Sequence, residues 1–140
     1  MFRFAIVLVV TAALLGQADG AASPVQNPKL FATVAQAPTS TPITAKTKLV
    51  LTTGPSFRIT LKTAAGKSFK TMKRGTYTVV VRDRSDFHNA HLTAPGRVNK
   101  KTSVPFRGTV TWKVKLAKTG TLRFRCDPHA SQMNGSRKIV

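Results

Sequence analysis

The run Thr111-Trp112-Lys113-Val114-Lys115-Leu116-Ala117-Lys118-Thr119-Gly120-Thr121-Leu122-Arg123-Phe124-Arg125-Cys126 alternates apolar and basic residues twice, on either side of a Thr119-Gly120 turn. A period of two is that of a strand with one face buried. It sets Trp112, Val114 and Leu116 on one face with Lys113 and Lys115 opposite, and it groups Cys126 with Leu122 and Phe124. The thiol therefore points inward at the end of a strand. Working outward, the same kind of pattern predicts strands over Lys48 to Thr53, Phe57 to Lys62, Thr76 to Arg82, Phe87 to Leu92, Val110 to Leu116, Leu122 to Cys126 and Arg137 to Val140. Gly54-Pro55, Ala65-Gly66, Arg74-Gly75, Pro95-Gly96 and Thr119-Gly120 punctuate them. No segment of this region carries a helical repeat. The expected fold class is all-β, a two-sheet Greek-key β-sandwich spanning residues 47–140.

The residues before it read differently. Met1-Phe2-Arg3, the apolar run Phe4 to Leu15 and the small residues around Ala18-Asp19-Gly20 have the form of a signal peptide, residues 1–20. The run falls short of the roughly 20 residues a spanning helix needs, so cleavage is favoured over a retained anchor. The expected location is outside the cytoplasm: secreted, periplasmic, or at a cell wall or membrane surface. Residues 21–46 are rich in Pro, Ala, Thr, Ser and Gln and read as a flexible linker.

Composition removes several kinds of chemistry. The 140 residues hold 23 Lys and Arg against 4 acidic residues, a formal charge of +19. The acidic residues are Asp19, Asp83, Asp86 and Asp127, with no glutamate. Paired-carboxylate hydrolysis and two-metal sites need several converging acids, which this chain can barely supply. One cysteine excludes an intramolecular disulfide, and no glycine-rich phosphate loop is present.

What remains is concentrated in Cys126-Asp127-Pro128-His129-Ala130-Ser131-Gln132-Met133. Pro128 stiffens a short loop in which a thiol, an imidazole and a thioether can turn toward one point. Phe87-His88-Asn89-Ala90-His91-Leu92 supplies a second imidazole, His88, on the strand face of Ala90 and Leu92. One Cys, two His and one Met are the ligand inventory of a blue copper site, a near-trigonal thiolate and two imidazoles with a weak axial thioether.

From about Phe57 to Val140 the chain resembles the cupredoxins, the group of plastocyanin, amicyanin and azurin, and most closely their small secreted bacterial members. The resemblance rests on His88-Asn89, on Cys126-x-Pro128-His129 with Met133 behind it, and on the strand pattern between them. It implies that His88, Cys126 and His129 are equatorial ligands of one type 1 copper ion and that Met133 is the axial ligand, with Gln132 as the substitute. It implies that Asn89 ties the two ligand-bearing loops together by hydrogen bonds. It implies further that His129 turns a ring edge to solvent, with Pro128 and Ala130 around it. The expected function is electron transfer by cycling between Cu(I) and Cu(II), without catalysis. The competing reading is a copper protein for trafficking or sequestration that has no redox partner.

Duller explanations compete residue by residue. His91, opposite His88 on an alternating strand, reads as a surface or packing histidine. His88, His91, Cys126 and His129 could together form a zinc site, but Met133 would then have no role. Cys126 with His129 as base would suit a nucleophile, yet the thiol points inward and no glycine-rich turn surrounds it. A multicopper oxidase needs more histidine pairs and more domains than this length holds. The basic residues, among them Lys62, Lys67, Lys70, Lys73, Arg74, Lys100 and Lys101, are dispersed. They suit steering toward an acidic redox partner, or loose contact with an anionic wall or membrane surface, better than nucleic acid. The expected state is a monomer.

Overall fold

The computed structural model describes residues 41–140. The signal peptide expected over residues 1–20 and the linker expected over 21–46, up to residue 40, lie outside the described residues. Nine strands follow in order: β1 (Leu49–Thr53), β2 (Ile59–Thr63), β3 (Thr71–Met72), β4 (Gly75–Asp83), β5 (His91–Ala94), β6 (Val98–Lys101), β7 (Gly108–Leu116), β8 (Gly120–Arg125) and β9 (Asn134–Ile139). No helix occurs among the described residues.

The strands form two sheets, one ordered β2-β1-β4-β7 and the other β3-β9-β8-β5-β6. This is the two-sheet sandwich expected from the sequence, with the chain crossing repeatedly from sheet to sheet. Both sheets are mixed: β1 runs parallel to β4, and β3 parallel to β9, while the remaining pairs are antiparallel. Alternation holds where it was clearest. Trp112, Val114 and Leu116 are buried while Lys113 and Lys115 are exposed, and Leu122, Phe124 and Cys126 share the inward side of β8 and its end.

The core fills the space between the sheets. Leu49, Leu51, Leu61, Val79 and Val81 come from one layer, and Leu92, Leu122, Phe124 and Ile139 from the other. Each such side chain contributes about 1.5–3 kcal/mol by leaving water. Tyr77 is fully buried, and its hydroxyl lies 2.7 Å from the Lys73 carbonyl and 3.0 Å from that of Ile43. Ile43 also forms a bridge with Met72 and packs on the core, so residues 43–45 belong to the folded part although the sequence assigns them to the linker.

Two strands went unread in the sequence, and one was misplaced. β3 has two residues, and β6 reads Val-Asn-Lys-Lys on an edge, so neither offers an apolar alternation. The strand expected over Phe87 to Leu92 begins only at His91. Residues 84–90 instead carry the chain from the first sheet to the second, and His88, Asn89, Ala90, His91 and Leu92 are all buried in succession. A crossing segment is covered from both sides, which a half-buried strand is not.

Candidate metal centre

Two connections meet at one pole of the sandwich. The first leaves β4 and enters β5, carrying His88 and Asn89; the second leaves β8 and enters β9, carrying Cys126, His129 and Met133. Because β5 and β8 are hydrogen-bonded neighbours, with His91 opposite Arg125, the two connections emerge side by side. The sheet register thus brings together residues that lie far apart in the chain.

The donor atoms converge. His88 Nδ1 and His129 Nδ1 are 3.1 Å apart, and Cys126 Sγ lies 3.7 Å from the first and 3.6 Å from the second. The centre of that triangle is about 2 Å from each corner, the length of a bond from imidazole nitrogen to a first-row metal. His88, Cys126 and His129 form the only group of its kind among the described residues. Cys126 is fully buried and His88 nearly so, whereas His129 is half-buried and the neighbouring Pro128 is exposed. One sulfur and two imidazole nitrogens are the donor types that a soft transition-metal ion takes, and the set fits a single type 1 copper.

Met133 and Gln132 separate by burial. Met133 is fully buried and Gln132 exposed. The Met133 carbonyl accepts from the Cys126 amide at 2.9 Å, and its own amide donates to the His129 carbonyl at 2.8 Å. The thioether residue is therefore fixed by backbone hydrogen bonds to the residues that carry both loop donors.

Asn89 stitches the two connections. Its Oδ1 accepts from the Asp127 amide at 2.7 Å, and its Nδ2 donates to Asp127 Oδ2 at 3.0 Å and to the Thr102 carbonyl at 3.3 Å. Its backbone amide points at Cys126 Sγ from 3.5 Å. The same residue therefore holds the two connections together and presents a donor to the sulfur. Thr102 adds a second cross-tie, accepting from the Ala90 amide at 2.9 Å and donating to Asp83 Oδ2 at 2.8 Å.

His91 is no ligand here. Its Nδ1 lies 2.7 Å from Asp127 Oδ1 and its Nε2 lies 2.9 Å from Asn99 Oδ1, so both ring nitrogens are taken. The four-ligand zinc alternative thereby loses its fourth donor. Burial raises the pKa of the Asp127 carboxyl, but hydrogen bonds from His91, Asn89 and Arg125 and the charge of His91 outweigh it and bring the value down to about 2. A permanent carboxylate thus anchors the loop that follows Cys126.

Two features were not read from the sequence. Asp127 had no role there, although it sits inside the Cys126–Met133 segment, where its position was the available signal. Phe57, on the turn between β1 and β2, lies edge-on to both imidazoles, with ring centroids 5.4 Å from His88 and 4.8 Å from His129. It is 61% exposed, so it roofs the donors while facing water. On the same turn, Gly54 has φ of +67°, and a Cβ there would stand 2.8 Å from Ser85 Cβ and 3.2 Å from His88 Cδ2. Only glycine satisfies both the dihedral and the space.

No protein-family model matches the chain, and no curated protein matches it. Among solved structures, it is similar to auracyanin from the photosynthetic bacterium Roseiflexus castenholzii, with 18% identity, coverage of 69% of this chain and 98% of that one, and a TM-score of 0.48. It is similar also to reduced rusticyanin, at 15% identity, 66% and 78% coverage and a TM-score of 0.46. A mutant of amicyanin matches at 17% identity, with 74% and 95% coverage and a TM-score of 0.43.

Proposed function

We propose that this chain is an exported cupredoxin that holds one copper ion through His88, Cys126 and His129, with Met133 axial, and carries electrons between partners. The observation that carries the reading is the convergence of one sulfur and two imidazole nitrogens within 3.7 Å of one another. Copper supplies the one-electron couple, and a mixed sulfur and nitrogen donor set accommodates both oxidation states. The chain's part is to keep the donors from rearranging. Pro128 restricts the loop, the Asn89 and Thr102 bonds lock it to the neighbouring connection, and the sandwich beneath supplies a stiff base. Burial of Cys126 excludes water from the sulfur, and half-exposed His129 offers an edge through which an electron leaves.

Under this reading the protein is a carrier and not an enzyme, and it works as a monomer. Its +19 charge favours an acidic redox partner. The visible spectrum of the full chain with one equivalent of Cu(II) tests the site: an intense thiolate-to-copper band is expected, and its loss in Cys126→Ser. No band in the unaltered protein removes the copper reading. Voltammetry then separates the two roles. Reversible one-electron reduction with fast self-exchange supports electron transfer, whereas rapid release of the ion to a chelating acceptor supports trafficking.

A further inference from the structure

A second concentration of chemistry lies on the outer face of the four-stranded sheet. The alternation that turns Thr53, Val81 and Asp83 inward turns Thr52, Arg82 and Arg84 outward. Register places Arg82 opposite Thr52 of β1 on one side and opposite Thr109 of β7 on the other. With Arg107, which precedes β7, these residues line a cavity of about 490 Å³. A smaller cavity of about 130 Å³ shares Thr52 and Arg82 and adds Thr60 and Lys62. Thr52 and Arg82 thus border both.

Like charges gathered in this way repel. Among the described residues, neither ion pair involves Arg82, Arg84 or Arg107; both belong to Asp127. Asp83 borders the larger cavity, but it is 2% exposed and its carboxylate is bonded to Thr102 between the sheets. Guanidinium forks match the paired oxygens of phosphate groups, and threonine hydroxyls complete their hydrogen bonding. No aromatic ring lines either cavity, so nothing there would hold a base or sugar ring by stacking. Arg82 borders both cavities, so a ligand long enough to reach both passes more than one anionic group beside it.

We infer that this groove binds a linear oligophosphate, with Arg82 at its centre and Arg84 and Arg107 at the end nearer the metal pole. Because the whole protein is strongly basic, the experiment has to separate a site from diffuse attraction. Calorimetric titration of the full chain with inorganic tripolyphosphate at constant ionic strength is expected to give one site per chain. The variant Arg82→Gln/Arg84→Gln/Arg107→Gln is expected to bind at least about tenfold more weakly, as loss of charge-assisted bonds requires. The control Lys100→Gln/Arg123→Gln/Lys138→Gln removes the same charge from exposed positions of the other sheet and is expected to stay within about twofold. Equal weakening in both variants, several equivalent sites, or no binding overturns the inference. Amide shifts in the unaltered protein provide an independent reading: they should centre on Thr52, Arg82 and Thr109, and a centre elsewhere is equally fatal.

Discussion

Asn89 does more for this protein than its single amide group suggests. It joins the segment before β5 to the loop after β8 at Asp127, and it reaches Thr102 as well. Asn89→Ala leaves the buried Thr102 carbonyl and the Asp127 amide without these partners, a loss of about 1–3 kcal/mol that urea unfolding would measure. Loosened donors should also weaken metal binding by about 10–100-fold in competition with a chelator. Much at this scale was legible in the sequence because Cys126, His129 and Met133 share one short loop, and a soft donor beside imidazoles has few other uses. Phe57 was not legible: nothing in the strand pattern sets the turn between β1 and β2 against the histidine rings. His91, read as a surface or packing histidine, is buried, with its two ring nitrogens beside Asp127 and Asn99.

At the level of elements, the strands with a clean period of two were readable and those without it were not. β4, β7 and β8 each bury every second residue, so their inward sets could be named in advance. β6 exposes three of its four residues, and the chain from His88 to Leu92, which leads into β5 and starts it, buries five in a row, so periodicity says nothing useful about either. Close fit between strands sets a further expectation. A Cβ on Gly135 would stand 2.4 Å from the Phe124 ring that faces it across β8 and β9, so Gly135→Ala should cost about 1–3 kcal/mol in thermal or urea unfolding. Asp83, at the end of β4, gives a pH signature. Burial raises its pKa, against lowering by its Thr102 and Ser85 hydrogen bonds and by His88. A raised folded-state value means that the acid's stabilising contribution is full below the unfolded value of 3.8 and is lost as pH rises through the folded one. Asp83→Asn should therefore match the unaltered protein in acid and exceed its stability near neutrality, a difference that urea midpoints across pH would record.

On the scale of the whole molecule, one pole gathers the donors while positive charge covers the outside. Of the acids among the described residues, Asp83 is buried and Asp127 is paired, leaving Asp86 to face water. Reduction by an acidic partner protein, followed by stopped flow, should slow steeply as ionic strength rises, with little change in the rate for a neutral small-molecule reductant. The charge balance was plain in the sequence, but the Arg82 groove was not, because its cations come from separate segments that only the pairing of β4 with β1 and β7 aligns. Pro55 borders that groove, and a Cβ on Gly54 before it would stand 3.2 Å from Cδ2 of His88. Position 54 is thus a shared wall with no thickness to give. Any side chain grafted there would press on Ser85 and on the imidazole of His88 at once, so a change made for the sake of the groove would be felt at the donors.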